Sequence, residues 1–578
     1  MSDDSDFRVR PGRGRDGGAG SGRRAQKLAA QVRRAAARAG QVRRRAGQGG
    51  SGTGRFGRGR NAALAARFVR DRRRAVIKAR VVRHHGVRFR AAPLARHLAY
   101  LSRDGVTRDG RDAALFDRQG DAADGDAFAT RCEDDRHHFR FIVSPEDAAQ
   151  MADLRAFTRE LMDDMARDLG SELDWVAVDH WNTDNPHVHV LLRGRASDGT
   201  DLVIDRDYIR EGMRDRAEER VTLELGPRSE KEIAAALARE VDADRWTGLD
   251  RRLLRLADDN GGIVDLRPGG GDRGDRALLL GRAAKLERLG LAERVGPGTW
   301  SLAGEIEPTL RDLSIRTDII KTMHRAMAGI ARGVDPSSFA LEGGDPAEPI
   351  IGRLVERGLR DELAGSAYAI IDGVDGRLHH VAFNDLDLTS DGAPGAIVEV
   401  RRWDDPRGAV RLSLAVRSDL PIERQVQARG VTWLDRQLIS SDPVATWNGF
   451  GREVRDAMAR RADHLAAEGL AKHAGDRIVP VPGLLETLRA RDLAAAAAAT
   501  EAATGLFHQP SAPGDHVTGV YRERVTLASG RFAVIADGLG FQLVPWRPAL
   551  EAHLGRHVTG TMGRAGSVDW ALGRGLGR

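Results

Sequence analysis

With 578 residues and a single cysteine, Cys132, the chain is long enough for several domains, and it excludes an internal disulfide framework and a cysteine-based zinc finger. No apolar run approaches a membrane span and the N-terminus has no signal-peptide core, so a soluble protein of the reducing cytoplasm, with no membrane insertion, is expected. The formal net charge of +7 conceals an asymmetry: residues 1–80 hold 23 Lys and Arg against 5 Asp and Glu, and the remainder hold 68 against 79.

Residues 1–75 read as a disordered basic arm. Stretches such as "PGRGRDGGAGSGRR" are rich in Gly and Arg and too poor in apolar residues to offset chain entropy, apart from a helical patch, "AQKLAAQVRRAAARA". Such an arm is expected to bind polyanions through phosphate contacts, with a solubilising tail in an Arg-rich chain as the bland alternative. A first strand is expected around Val76–Val82 from its β-branched alternation. Leu94, Leu98 and Leu101 then follow helical spacing up to a stop at Gly105.

"HHFRFIVS" reads as a second strand. A helix is expected from Pro145 to about Leu169, with Ser144 as N-cap, Asp147 completing a capping box and Gly170 as the stop. Its apolar stripe is Met151, Leu154, Phe157, Leu161, Met165 and Leu169. "LDWVAVDHW" and "HVHVLLRG" read as two strands joined by the turn "NTDNP". The alternation of strands and helices predicts an α+β fold with a largely antiparallel sheet and flanking helices over residues 76–250.

Residues 251–330 read as a winged helix, with an ordinary helix–hairpin connection as the equal alternative. Residues 331–440 form a β-rich domain. Residues 441–515 are helical and include the Ala-rich "LAAAAAATEAATG", expected as a surface helix or spacer. Residues 516–578 look like a small β-barrel-like domain. No internal repeat stands out.

Eight of the 17 histidines fall between His84 and His189. In a strand, His187 and His189 point the same way, with Val188 and Leu192 on the other face. A tight hairpin brings His180 near that pair. Three imidazoles on rigid strands make a site for a divalent metal. The bland reading is a pair of polar positions on a solvated strand. His137 and His138 read as strand-capping residues or as second contacts to metal or phosphate.

An all-histidine site can hold a zinc hydroxide, support oxidation, or polarise a phosphodiester oxygen while another group attacks. The basic arm favours a nucleic-acid phosphate. Tyr100, one of four tyrosines, is flanked by Arg96, His97, Arg103 and Arg108, a setting that would receive DNA phosphates. It reads equally as a nucleophile or as an amphipathic core residue.

"HWNTDNPHVH", His180 to His189, resembles the three-histidine motif of the tyrosine relaxases, the HUH endonucleases that mobilise conjugative plasmids and integrative elements. "HLAYLSRDGVTRDG" resembles the nucleophile segment of those relaxases that are similar to the Ti-plasmid border nuclease, and "HHFRFIVSPEDA" resembles their intervening motif. Beyond about residue 250, "TWLDRQLIS" and "FQLVPWRPALEAHLGR" resemble an uncharacterised domain that accompanies these relaxases in proteobacteria. The resemblance implies an HUH-type sheet and metal-assisted nicking of one DNA strand at a transfer origin, followed by rejoining. Tyr100 would form the 5′-phosphotyrosyl intermediate, and His180, His187 and His189 would hold Mg²⁺ or Mn²⁺. Arg96, Arg103, Arg108 and the arginine beside Gly194 would contact DNA.

Implied partners are single-stranded and supercoiled origin DNA, relaxosome accessory proteins and a type IV secretion coupling protein. Export to a recipient cell while attached to DNA would follow. Asn182 departs from the pattern, since many relaxases have an acidic residue there; Asp179 and Asp184 are nearby substitutes, and the general base is unassigned. The rivals are a rolling-circle replication initiator, a non-catalytic DNA-binding regulator with structural histidines, and a zinc hydrolase of small molecules. No G-x-x-x-x-G-K-[ST] loop supports the fused helicase that initiators often carry.

Overall fold

The computed structural model describes residues 72–84, 94, 97–98, 101–102, 107–111, 113–181, 185–268, 273–327, 338–341, 349–406, 408–441, 443, 448–474, 477–563 and 567–571. The arm expected over 1–75 lies almost wholly outside them. The chain forms two compact units, Met1–Ala243 with Thr247–Gly304, and Asp244–Trp246 with Glu305–Arg578. No described helix is long and apolar enough to cross a membrane.

The first unit is built on strands β1 (Ala75–Arg83), β2 (His137–Pro145), β3 (Trp175–His180) and β4 (His187–Arg193). They form one antiparallel sheet in the order β1-β2-β4-β3. Alternation along each strand sends one set of side chains, including Ile77, Phe139, Phe141, Val188, Val190 and Leu192, into the core. Helix α1 (Gly125–Arg131) lies between β1 and β2 in sequence, and α2 (Leu154–Leu169) lies between β2 and β3. The stripe of α2, from Leu154 through Phe157 and Leu161 to Met165, covers that core.

The helix starts later than the sequence suggests. Ser144 and Pro145 belong to β2, where they pair with Val76 and Ala75. Asp153 is the N-cap, accepting from the backbone N–H of Arg155 and Ala156. A serine followed by proline suits a strand end as well as a helix start, and pairing with β1 decides between them. Gly170 ends α2 in the left-handed conformation, φ 63°, as expected.

Helices α3 (Met213–Leu225) and α4 (Glu230–Asp242) follow. Met213, Ala217 and Val221 of α3 complete the core. Next come α5 (Gly248–Asp259), β5 (Ile263–Asp265), α6 (Arg273–Arg288), β6 (Ala292–Gly296) and β7 (Thr299–Leu302). The sheet order β5-β7-β6 makes the hairpin part of a three-stranded sheet.

The second unit opens with α7 (Ile306–Met327) and a six-stranded sheet of β8 (Phe339–Ala340), β9 (Ile351–Asp361), β10 (Ser366–Gly373), β11 (Leu378–Phe383), β12 (Ile397–Asp404) and β13 (Val410–Ser418). Helices α8 (Ile422–Gln425), α9 (Trp433–Ile439) and α10 (Phe450–Ala467) lead to the hairpin of β14 (Ala471–Ala474) and β15 (Arg477–Pro480). After α11 (Leu484–Thr504) come β16 (Phe507–His508), β17 (His516–Leu527), β18 (Gly530–Ala536), β19 (Gly540–Pro545), β20 (His557–Met562) and β21 (Val568–Trp570). These form an open six-stranded sheet rather than a closed barrel. The Ala-rich helix is no spacer: Ala496 and Ala497 of α11 pack on Val534, Phe541 and Leu543, because small side chains let the helix approach that sheet closely.

Contrary to the sequence reading, the chain contains an internal repeat. Thr247 caps α5 in a box with Asp250, and Thr432 caps α9 in a box with Asp435. Each of these carboxylates takes two hydrogen bonds from a buried arginine, Arg282 of α6 or Arg461 of α10. The same guanidinium donates to the carbonyls of Val241 and Ala243 in the first module and of Val426 and Ala428 in the second. Both third helices stop at a left-handed glycine, Gly290 (φ 73°) or Gly469 (φ 72°), before Leu-Ala opens the hairpin.

The two six-stranded sheets also share one topology. Their orders are β8-β11-β10-β9-β12-β13 and β16-β19-β18-β17-β20-β21, each with a two-residue strand running parallel to its neighbour. Gly352 faces Val398 as Gly519 faces Val558. Leu354 N–H donates to Ala396 O as Tyr521 N–H donates to Arg556 O. Residues 247–570 therefore hold one order of helices and strands, an α+β arrangement, written twice. The matching residues are few and scattered, so the repeat leaves little trace in the sequence.

Candidate metal centre

The hairpin of β3 and β4 sets His180 directly opposite His187, with His189 two residues further along the same face. All three imidazoles are buried. Their ring centroids are 4.6–5.4 Å apart, and each offers a nitrogen within 4.8 Å of the others. Packing three polar rings together is costly unless their nitrogens find partners.

Hydrogen bonds orient the rings. His187 Nδ1 lies 2.9 Å from the carbonyl of Asn185, so this nitrogen carries the proton and Nε2 presents a lone pair. That Nε2 lies 3.0 Å from Nε2 of His189. His180 Nε2 lies 2.9 Å from the carbonyl of Leu101, so its proton sits there and Nδ1 is the available donor. Ring N–H groups anchored on backbone carbonyls are the usual support for metal-binding histidines. The three residues therefore fit a divalent cation by donor type, proximity and tautomer. Imidazole donors suit transition metals, which among the two expected ions favours Mn²⁺ over Mg²⁺.

Leu101 belongs to a helical stretch whose described residues Leu94, Leu98 and Leu101 are buried, as their spacing predicted. Ser102 Oγ donates to Leu98 O within it. Tyr100, Arg96, Arg103 and Gly105 lie outside the described residues, as do Asn182 and Asp184. Asp179 points to the opposite face, where Arg155 Nε and Trp181 Nε1 each donate to it at 2.8 Å. It ties β3 to α2, and both of its oxygens are engaged away from the histidines.

Arg108 donates to the carbonyls of Met151 and Ala149, and its guanidinium lies 5.1 Å from the Trp181 ring centroid. Position 194 itself is glycine, because a Cβ there would come within 2.0 Å of His137 O. Its neighbour Arg193 grips Asp135 through two hydrogen bonds. That ion pair raises the Arg193 pKa and locks the strand end. These two arginines hold the scaffold around the centre together.

His137 and His138 are not part of the trio. His137 Nε2 lies 3.0 Å from Leu202 O. His138 joins a chain that sequence reasoning missed. Arg140 Nε donates to His138 Nε2, so His138 Nδ1 must carry the proton it shares with His84 Nε2 at 2.8 Å; His84 Nδ1 then donates to Asp135 O. Burial above all, then the nearby Arg140 charge, holds His138 well below its ordinary value, and burial lowers His84 as well. Both are neutral at pH 7. The β1–β2 register, Val82 opposite His138, brings His84 there, and a lone sequence does not reveal that register. Burial pushes the Cys132 thiol up to about 12, which removes it as a nucleophile.

No curated protein and no solved structure matches the chain. Among protein families, residues 279–411 and 403–578 match the one described as "Protein of unknown function (DUF3363)". The matched residues make up more than half of the chain, which belongs to this family.

Proposed function

We propose that the chain is a DNA relaxase, a site- and strand-specific endonuclease that works by reversible tyrosine transesterification at a transfer origin. The observation that carries this reading is the hydrogen bond between His180 and the carbonyl of Leu101. It ties the residue next in sequence to Tyr100 to a three-histidine centre. The family match supports it further, because it falls on the stretch that resembles the domain accompanying relaxases.

Tyr100 is also the tyrosine best suited to the chemistry. Tyr208 donates its hydroxyl to Asp168, and burial raises its pKa. Tyr368 donates to Glu356. Tyr521 is fully buried, and burial raises its pKa too. A phenol is a poor nucleophile at its free pKa of about 10, so these three are less reactive still or already engaged.

In the proposed reaction, the Tyr100 oxygen forms a bond to the scissile phosphorus and its proton passes to a base. The bond from phosphorus to the 3′ oxygen breaks, and that oxygen takes up a proton. The products are a 5′-phosphotyrosyl link and a free 3′ hydroxyl, and the reverse reaction rejoins the strand. His180, His187 and His189 would hold a divalent Mg²⁺ or Mn²⁺, which when bound draws charge from the phosphate oxygens. On this reading the partners are origin DNA, accessory nicking proteins and a type IV secretion coupling protein, with cytoplasmic action before export.

The test is incubation with supercoiled plasmid carrying the cognate origin and Mg²⁺ or Mn²⁺. One site-specific nick is expected, with protein bound to the 5′ end. The absence of that nick, or undiminished nicking by Tyr100→Phe, would sink the mechanism. A DNA-binding regulator would retain its binding in Tyr100→Phe and show no nicking in either protein.

A further inference from the structure

The sheet face that carries the histidines has a second half. Strand alternation sets Lys78 and Arg80 of β1 on it, since Ala75, Ile77 and Ala79 of the same strand face the core. The register fixes their places. Lys78 stands opposite Ile142, which stands opposite His189; Arg80 stands opposite Arg140, which stands opposite Leu191. Neighbouring strands are about 4.8 Å apart, so two strand spacings, about 10 Å, separate Lys78 from His189.

The charged side chains that the four strands set on this face have one sign. The four strands hold a single carboxylate, Asp179, and it lies on the other face. Lys78 and Arg80 are exposed on an edge strand, and neither has an acidic partner among the described residues. Arg140 lies between them and the histidine strand, aligned by its bond to His138. The imidazoles bring no negative charge to a bound cation, and the adjoining strand cations add to its positive field. Such a surface attracts an extended polyanion and leads it to the centre.

We propose that Lys78 and Arg80 form the track along which backbone phosphates of single-stranded DNA reach the histidine centre. The choice of DNA rests on the relaxase reading; the position of the track rests on sheet register and charge.

Binding and nicking test the two ideas separately. A fluorescein-labelled single-stranded oligonucleotide bearing the origin sequence is titrated with the full chain, and anisotropy is read at several salt concentrations. Lys78→Glu/Arg80→Glu is expected to weaken binding by on the order of tenfold and to lower the salt slope by about 1.4. Arg83→Glu, a single charge reversal on the same strand but on the opposite face, is expected to bind as the unaltered protein does. Metal affinity by calorimetry is expected to be unchanged in both, which also shows that the fold is retained. Equal losses in Arg83→Glu and Lys78→Glu/Arg80→Glu, or no loss in the latter, overturn the track. Loss confined to Lys78→Glu/Arg80→Glu in a protein that never nicks would support the track and defeat the relaxase reading.

Discussion

Arg461 and Asp435 meet through two hydrogen bonds of 2.8 and 2.9 Å, with neither side chain exposed to solvent. Arg282 and Asp250 reproduce the arrangement at 2.7 and 2.9 Å. In both modules the carboxylate also closes a capping box, and the guanidinium satisfies carbonyls of the preceding segment. One buried charge pair thus organises three chain segments, and its remaining polar atoms are used on backbone that would otherwise be unsatisfied.

Removing one partner leaves the other charge buried and alone, a loss of about 3–5 kcal/mol. Arg461→Met and Arg282→Met are each expected to destabilise the module that contains them by about that much. Urea denaturation followed by tryptophan fluorescence and by hydrogen exchange checks the size and locates the loss. A change below about 1 kcal/mol in either would show that the pair is dispensable. Asp435→Leu added to Arg461→Met is expected to recover only part of the stability: it removes the stranded charge, but the Thr432 N–H and the carbonyls of Val426 and Ala428 lose their partners.

The histidine centre predicts a metal-affinity series. His187→Ala removes a donor whose tautomer is set by Asn185, and a loss of at least about 100-fold in Mn²⁺ affinity is expected, since even supporting partners of a ligand contribute 10–100-fold. Far-ultraviolet circular dichroism is expected to be unchanged, because Val188, Val190 and Leu192 keep β4 in the core. Calorimetric titration showing unaltered affinity would remove His187 from the ligand set.

The His84–His138 pair predicts acid sensitivity. Both pKa values are lowered in the folded chain, so the unfolded chain binds more protons once pH falls below the ordinary value of 6.5. Stability is therefore full above that value and declines as pH drops below it, by up to about 1.4 kcal/mol per pH unit for each proton taken up. His138→Gln cannot titrate and is expected to flatten this decline between about pH 6.5 and 5 in chemical denaturation. An identical decline in the variant would assign the sensitivity to other groups.

Much of the first unit was legible because its signals are local. The strand period and the histidine spacing are contained between Trp175 and Arg193, and the hairpin sets His180 opposite His187. The start of α2 was misread because pairing of Ser144 and Pro145 with β1 is long-range. The same limitation hid the His84–His138 contact and the common face of Lys78 and His189, which depend on a register between segments far apart in sequence. The Ala-rich helix was misjudged because small side chains look indifferent until a sheet is there to receive them.

The repeat carries a prediction at two glycines. A Cβ on Gly352 would lie 2.3 Å from Asp372 O, and one on Gly519 would lie 2.5 Å from Ala536 O. In each sheet the colliding atom is backbone of the neighbouring strand, which cannot rotate away as a flexible side chain could. Gly352→Ala is therefore expected to force the strands apart and to cost about 1–3 kcal/mol, the range for overpacking, and Gly519→Ala, whose φ of 152° adds backbone strain to the collision, is expected to cost at least as much. Gly199, with φ 82° and no heavy atom near its Cβ position, tests the alternative that any glycine substitution is harmful through backbone strain alone. Gly199→Ala is expected to cost about 1 kcal/mol, the low end for a strained backbone conformation, and to leave both sheets intact by hydrogen exchange. Losses at both Gly352 and Gly519, with strand protection lost at β10 and β18 respectively, would show that the two copies rely on one close approach. A large loss at one glycine and none at the other would mean that the modules have diverged at the point where their backbones are packed most tightly.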